Sequence, residues 1–149
     1  MITSFSHIYN RVRDVEEAID WYTKNLGFRL LRKYRTDPNG SPSAYLELGD
    51  VLLELTQARD ASQLSGDGEL KFGLTVTDLD GLMADLKSKD IPVTREASQA
   101  RTFWGRQAAI TDPSGNGISL REWEAPDGPH YNDWKPRSGG REAGVERLA

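Results

Sequence analysis

The chain has 149 residues, a formal net charge of -4 and two histidines, and it lacks cysteine. That excludes a disulfide framework, thiolate metal ligation and a cysteine nucleophile, and it leaves too few imidazoles for a site built from several. The length fits one domain with an ordinary core, no run approaches the roughly 18 apolar residues of a membrane span, and the scattered basic residues argue against nucleic acid as a partner.

The opening residues MITSFSHIYNRVRD hold no apolar stretch of signal-peptide type, so a cytoplasmic location is expected. Residues 6–12 (SHIYNRV) read as a strand, with Ile8, Asn10 and Val12 on one face and His7, Tyr9 and Arg11 on the other. Asp14, with Glu17 three residues on, forms a capping box and predicts a helix whose Val15, Ile19, Tyr22 and Leu26 share a stripe. Gly27 ends it. Strands follow at 28–35, 43–48 and 51–56, separated by the turn cluster DPNGSP at 37–42 and by Gly49-Asp50. The order is βαβββ. Residues 58–67 are polar and read as a linker.

The order then repeats. Residues 71–76 form a strand, Asp78 precedes a helix with Leu79, Leu82, Met83 and Leu86 on its apolar side, and strands are expected at 91–94, 106–111 and 118–123. DPSGN at 112–116 marks the turn between the last two. The repeat has a fixed period: 76 − 12, 78 − 14 and 72 − 8 are each 64, for Val12/Val76, Asp14/Asp78 and Ile8/Phe72. The expected fold is α+β, one domain over 4–124 made of two βαβββ modules, 4–57 and 68–124. The two sheets would join into a curved half-open barrel around a central cleft. Residues 125–149 read as a polar C-terminal tail that can dock through Tyr131 and Trp134, with His130 solvated or folded over the cleft mouth.

Three motifs carry a family resemblance: HIYNRVRDVEEAIDWYTKNLGFRLLR (7–32), VLLELTQ (51–57) and TDPSGNGISL (111–120). In this order, across about 4–124, they resemble the vicinal oxygen chelate superfamily, the glyoxalase / bleomycin-resistance / dioxygenase group. The resemblance implies a small-molecule cleft and, in its glyoxalase-like branch, a divalent ion on four ligands from the first and last strands of both modules. Carried over, the first module keeps His7 and Glu54. The second departs from the pattern: 7 + 64 places Lys71 opposite His7, and Ser119 stands where the D-P-x-G-N-x-I-E-L motif has its Glu. In the lactoylglutathione lyase pattern that Glu is also the acid/base. An ammonium does not ligate a cation, and a hydroxyl replaces a carboxylate poorly. An extradiol dioxygenase pattern needs two histidines and a carboxylate, and only His7 lies on the strands concerned. Glu122, three residues past Ser119, belongs on the opposite strand face.

These residues lead to the expectation of a metal-independent small-molecule binding protein of the glyoxalase/bleomycin-resistance type, with no cofactor. Its ligand site would draw on His7, Tyr9, Tyr45, Glu47, Glu54, Lys71, Trp104, Arg106 and Ser119, with Lys71 ion-paired to Glu54. Trp104 reads as a stacking ring or as packing, and Arg106 as a grip for an anion or an exposed strand end. The alternative is a divalent-metal-dependent lyase or isomerase, lactoylglutathione lyase-like, or a dioxygenase, with zinc, nickel or iron on His7 and Glu54. Catalytic residues stay unassigned in either case. The resemblance also implies a homodimer. No membrane partner is expected, and the ligand's identity is not legible.

Overall fold

The computed structural model describes residues 1–124; the expectations for His130, Tyr131 and Trp134 fall outside the described residues. In chain order the elements are β1 (His7–Val12), α1 (Val15–Leu26), β2 (Arg29–Tyr34), β3 (Ser43–Leu48) and β4 (Val51–Gln57), then β5 (Leu70–Thr75), α2 (Leu79–Ser88), β6 (Val93–Gln99), β7 (Gly105–Thr111) and β8 (Gly117–Trp123). They form two four-stranded sheets, ordered β1-β4-β3-β2 and β5-β8-β7-β6. Both sheets therefore place the last strand of a βαβββ run beside its first, and the fold is α+β with the repeat that the 64-residue period predicts. No helix among the described residues is long and apolar enough to cross a membrane.

The described chain divides into two compact units: Met1–Phe72 with Thr111–Gly117, and Gly73–Ile110 with residues 118–124. The first unit holds β1 to β4 and α1. In its sheet β1 runs parallel to β4, while β3 is antiparallel to both β4 and β2. The helix starts where the sequence signals it. Asp14 Oδ1 accepts from the Glu17 amide at 2.9 Å, and Gln57 Oε1 from the last strand accepts from the Val15 amide at 3.1 Å. Two otherwise orphaned N–H groups are thus satisfied. The Glu17 carboxylate instead takes the Arg13 guanidinium, at 2.7 Å from both Nε and Nη2. Gly27 closes the helix at φ 74°, in the left-handed region that favours glycine.

Helix α1 packs against β3 and β4. Val15, Ala18, Ile19 and Tyr22 are buried from its side, and Val12, Ala44, Leu46, Leu53 and Leu55 from the sheet. A fully buried leucine such as Leu55 contributes about 2 kcal/mol. Strand β2 is the free edge of this sheet and carries a bulge: Leu30 pairs with Leu46, but Arg32 pairs with Tyr45. Leu31 is the extra residue, so Arg32 and Tyr34 share a face with Arg29 rather than with Leu30.

The turn DPSGN belongs to this first unit. Buried Asp112 accepts from the Tyr22 hydroxyl at 2.8 Å, from the Ser114 and Asn116 amides at 2.9 Å each, and from Asn116 Nδ2 at 2.9 Å. Ser114 Oγ accepts from the Arg13 amide at 2.9 Å, and Ser65 Oγ bridges Arg11 to Asn116. The expected linker 58–67 therefore contains both a single 3-10 turn, Ala61–Gln63, and an anchored end. Gly66 lies so close to the turn that an added Cβ would stand 1.8 Å from the Ser114 carbonyl oxygen.

The second unit repeats the helix start. Asp78 Oδ1 accepts from the Gly81 amide at 2.9 Å, and Glu122 Oε2 accepts from the Leu79 amide at 2.8 Å. Leu79, Met83 and Leu86 are buried, as are Ile110, Ile118 and Leu120. Strand β6 corrects the sequence reading. It was expected at 91–94 but occupies Val93–Gln99, with register shifts after Val93 and after Arg95. Those irregularities remove the alternation by which VTREASQ would be read as a strand.

Candidate functional site

Strand β4 is the centre of the candidate site. Its sequence VLLELTQ alternates: Leu53 and Leu55 are buried beneath α1, and Glu54 points to the other, open face of the first sheet. The register brings Tyr9 of β1 and Tyr45 of β3 to either side of Glu54. A carboxylate in this setting is costly without partners, and it has two. His7 Nε2 lies 2.9 Å from Glu54 Oε2, with the side chains 35% and 16% exposed, and the Tyr34 hydroxyl donates to Oε1. Ser6 Oγ is 2.9 Å from His7 Nδ1. His7 Nε2 donates to the Glu54 carboxylate, and in the second contact either Ser6 Oγ or His7 Nδ1 is the donor.

The rings are ordered around this pair. Tyr34 and Tyr45 stack at 5.2 Å with an interplanar angle of 18°, and His7 meets Tyr45 edge-on at 6.4 Å. Burial, then hydrogen bonds to Glu54 and Tyr45, holds the Tyr34 phenol above the usual tyrosine range. Tyr34 thus stays a donor to the carboxylate at neutral pH.

The structure brings His7, Tyr45 and Glu54 together, with Tyr9 as the exposed register neighbour of Glu54. Tyr34 was missed by sequence reasoning. Its position in β2 has the parity of Leu30, and only the bulge at Leu31 turns it to this face. The adjacent pair Leu30-Leu31 in a short strand is the signal that could have found it.

The other expected residues are placed differently. Glu47 forms an ion pair with Arg29 on the same face. Lys71 does not pair with Glu54 as expected: its Nζ is held 2.8 Å from Asp67, four residues earlier, while both Glu54 oxygens are engaged by His7 and Tyr34. In the second unit Trp104 and Ser119 are buried. An added Cβ on Gly73 would stand 3.6 Å from that of Ser119. Arg106 holds Asp80 with both terminal nitrogens, at 2.9 and 2.8 Å, and lies 3.8 Å from Glu122. Glu122 itself serves the α2 N-terminus, on the face its odd offset from Ser119 requires.

A divalent-metal centre needs at least three protein ligands in its usual catalytic form. His7 and Glu54 offer two, already bonded to each other. No group of three or more histidine or carboxylate side chains among the described residues is placed to hold a metal ion. Lys71 and Ser119 add no ligand of suitable chemistry. The donor set therefore does not fit the four-ligand centre of the glyoxalase-like pattern.

Comparison with known proteins gives one family and a spread of relatives. The chain is 29% identical over 121 residues to lactoylglutathione lyase GLX1 of Arabidopsis thaliana, covering 78% of this chain and 43% of that protein. It thus spans less than half the length of that relative. A Vibrio cholerae protein named as a probable lactoylglutathione lyase is also 29% identical over 121 residues, covering 76% of this chain and 86% of its own. Among solved structures, TnmS3, an antibiotic binding protein from Streptomyces sp. CB03234, matches with 26% identity and a TM-score of 0.62, over 81% of this chain and 96% of that one. The family model for the glyoxalase/bleomycin resistance protein/dioxygenase superfamily matches residues 4–120, and the chain belongs to that superfamily.

Proposed function

We propose that this chain is a small-molecule binding protein of the glyoxalase/bleomycin-resistance type that works without a metal, its ligand resting against His7, Tyr9, Tyr45 and Glu54. The observation that carries the reading is the state of Glu54: its two oxygens are engaged by His7 and Tyr34, and tyrosine rings flank the set. A few fixed polar groups among aromatic surfaces are what a small-molecule site uses for orientation and contact. A metal would have to break the His7–Glu54 bond and would gain only two protein ligands. The name of the Streptomyces relative, an antibiotic binding protein, agrees with this class. Arg106 and Lys71 act here as local ion-pair partners and Trp104 as packing. A homodimer is the assembly that the family resemblance suggests.

The test is metal uptake. Protein stripped with a chelator and dialysed against zinc or nickel should retain no stoichiometric ion, and its melting temperature should not change with either. Tight uptake of one equivalent that His7→Ala abolishes would overturn the reading.

A second reading has one specific observation behind it. His7 and Glu54 come from the two strands that supply metal ligands in the glyoxalase-like pattern, and they lie side by side. A metal-dependent lyase would show lactoylglutathione lyase activity only after metal addition, and Glu54→Gln would remove it.

A further inference from the structure

We infer that Arg32 is a specificity-determining residue of the ligand site on the first sheet, where it grips a carboxylate-type oxyanion carried on a planar apolar body. The inference rests on the binding reading above and narrows its ligand class. Strand β2 carries three cations, Arg29, Arg32 and Lys33. Two are in ion pairs: Arg29 with Glu47, opposite it on β3, and Lys33 with Glu16 of α1. Arg32 has no ion-pair or hydrogen-bond partner among the described residues. Its register partner is Tyr45, not an acid, so it lacks the opposite charge that stabilises a cross-strand pair. The other arginines of the same face are committed: Arg29 to Glu47, and Arg11 over the Tyr9 ring with its guanidinium carbon 6.0 Å from the centroid.

The bulge at Leu31 turns Arg32 to this face. The register then sets Arg32, Tyr45, Glu54 and Tyr9 in one row across the four strands. Arg32 ends the row at the sheet's free edge, exposed, beside the Tyr45 ring that stacks on Tyr34 at 5.2 Å. A guanidinium presents a planar fork that matches the two oxygens of a carboxylate. The adjoining rings offer apolar surface to the body that carries the carboxylate. Glu54 is two strands away in the row, about 10 Å at the usual strand spacing, near the distance at which exposed charges are screened. An oxyanion on Arg32 thus gains a charge-assisted contact without being set against Glu54, whereas a ligand cation there meets an unpaired guanidinium. Neither His7 nor Glu54 takes part in the contact, so it is independent of the protons they hold.

The experiment titrates the full chain with three probes of similar shape, benzoate, benzamide and benzylammonium, followed by NMR shifts of the tyrosine ring and Arg32 Nε–H signals. Benzoate should bind at least about tenfold more tightly than benzamide and shift both Arg32 and Tyr45. Arg32→Gln should make benzoate and benzamide equal. Arg32→Lys should keep part of the preference, since the charge remains and the fork is lost. Equal binding of benzoate and benzamide to the unaltered chain, with Tyr45 shifted by both, overturns the oxyanion inference while leaving the small-molecule reading intact. A preference for benzylammonium, a benzoate preference that survives Arg32→Gln, or no binding of benzoate overturns it as well. Tight zinc or nickel uptake through His7 would instead overturn the metal-free reading.

Discussion

The two βαβββ runs differ in what they keep. Both start their helix with an aspartate cap, Asp14 and Asp78, and both have the last strand contribute a side-chain oxygen to the first helical amide, Gln57 to Val15 and Glu122 to Leu79. The open-face residues are not kept. His7 corresponds to Lys71 and Tyr9 to Gly73, each 64 apart, and Glu54 corresponds to Ser119, where 119 − 54 is 65, the same as 122 − 57. The repeated contacts satisfy backbone groups that every helix start leaves bare, so both copies must provide them. Ligand chemistry carries no such backbone requirement. The first module supports an acid, an imidazole and three phenols, and the second supports none of that set at the matched positions.

The sharpest test of this division uses the turns between the third and fourth strands. Asp112 accepts four hydrogen bonds while buried, whereas Asp50 sits in an exposed two-residue turn. Asp112→Ala should lower unfolding stability by about 3–5 kcal/mol, and Asp50→Ala by less than about 0.5 kcal/mol. Urea unfolding of both variants checks it, and similar losses would erase the contrast.

Alkaline pH probes the same turn. Burial first, then the neighbouring charge and hydrogen bond of Asp112, raises the Tyr22 phenol above its usual range. An acid whose pKa rises on folding contributes stability that is whole below its unfolded value, about pH 10 for tyrosine, and that is lost as pH climbs beyond it. The loss should approach about 1.4 kcal/mol per pH unit above that point. Tyr22→Phe should be less stable at neutral pH but show a shallower alkaline decline in urea unfolding. An unchanged slope would remove Tyr22 as its source.

The helix starts should behave as equals. Asp14→Ala and Asp78→Ala should each cost about 1 kcal/mol, and the double variant about the sum. A large cost at one cap and none at the other would show that the repeat is formal rather than physical. The smallest effect belongs to Lys71. Its partner is an exposed aspartate four residues away, so Lys71→Ala should leave the melting temperature unchanged. A large drop would restore a role for Lys71 at Glu54.

The fold was legible because its signals are local. Asp caps, the apolar stripes of α1 and α2, and the turns at 49–50 and 112–116 each specify their own segment, and the 64-residue period links them. His7 and Glu54 were implied by the family resemblance, and strand alternation put Tyr45 on their face. What stayed hidden depends on partners distant in sequence or on broken alternation. Strand β6 was read short because two register shifts interrupt its pattern. The Lys71–Glu54 pair was inferred from complementary charge alone, although Asp67 lay nearer to Lys71 along the chain and Tyr34 was available to Glu54. The buried anchoring of DPSGN by Tyr22 and Ser65 was equally invisible, since a turn motif specifies its own bend and not what it touches.

The extra residue in β2 has a consequence for how sites of this kind diverge. Tyr34 faces Glu54 because the strand counts one residue more than its neighbour, not because of any property of tyrosine. Two relatives could share the same residues along this strand, differ by a single gap, and present opposite sides of it to a ligand. The face a residue presents here is set partly by chain length, so an alignment that closes such a gap for the sake of identity would match residues that point in opposite directions.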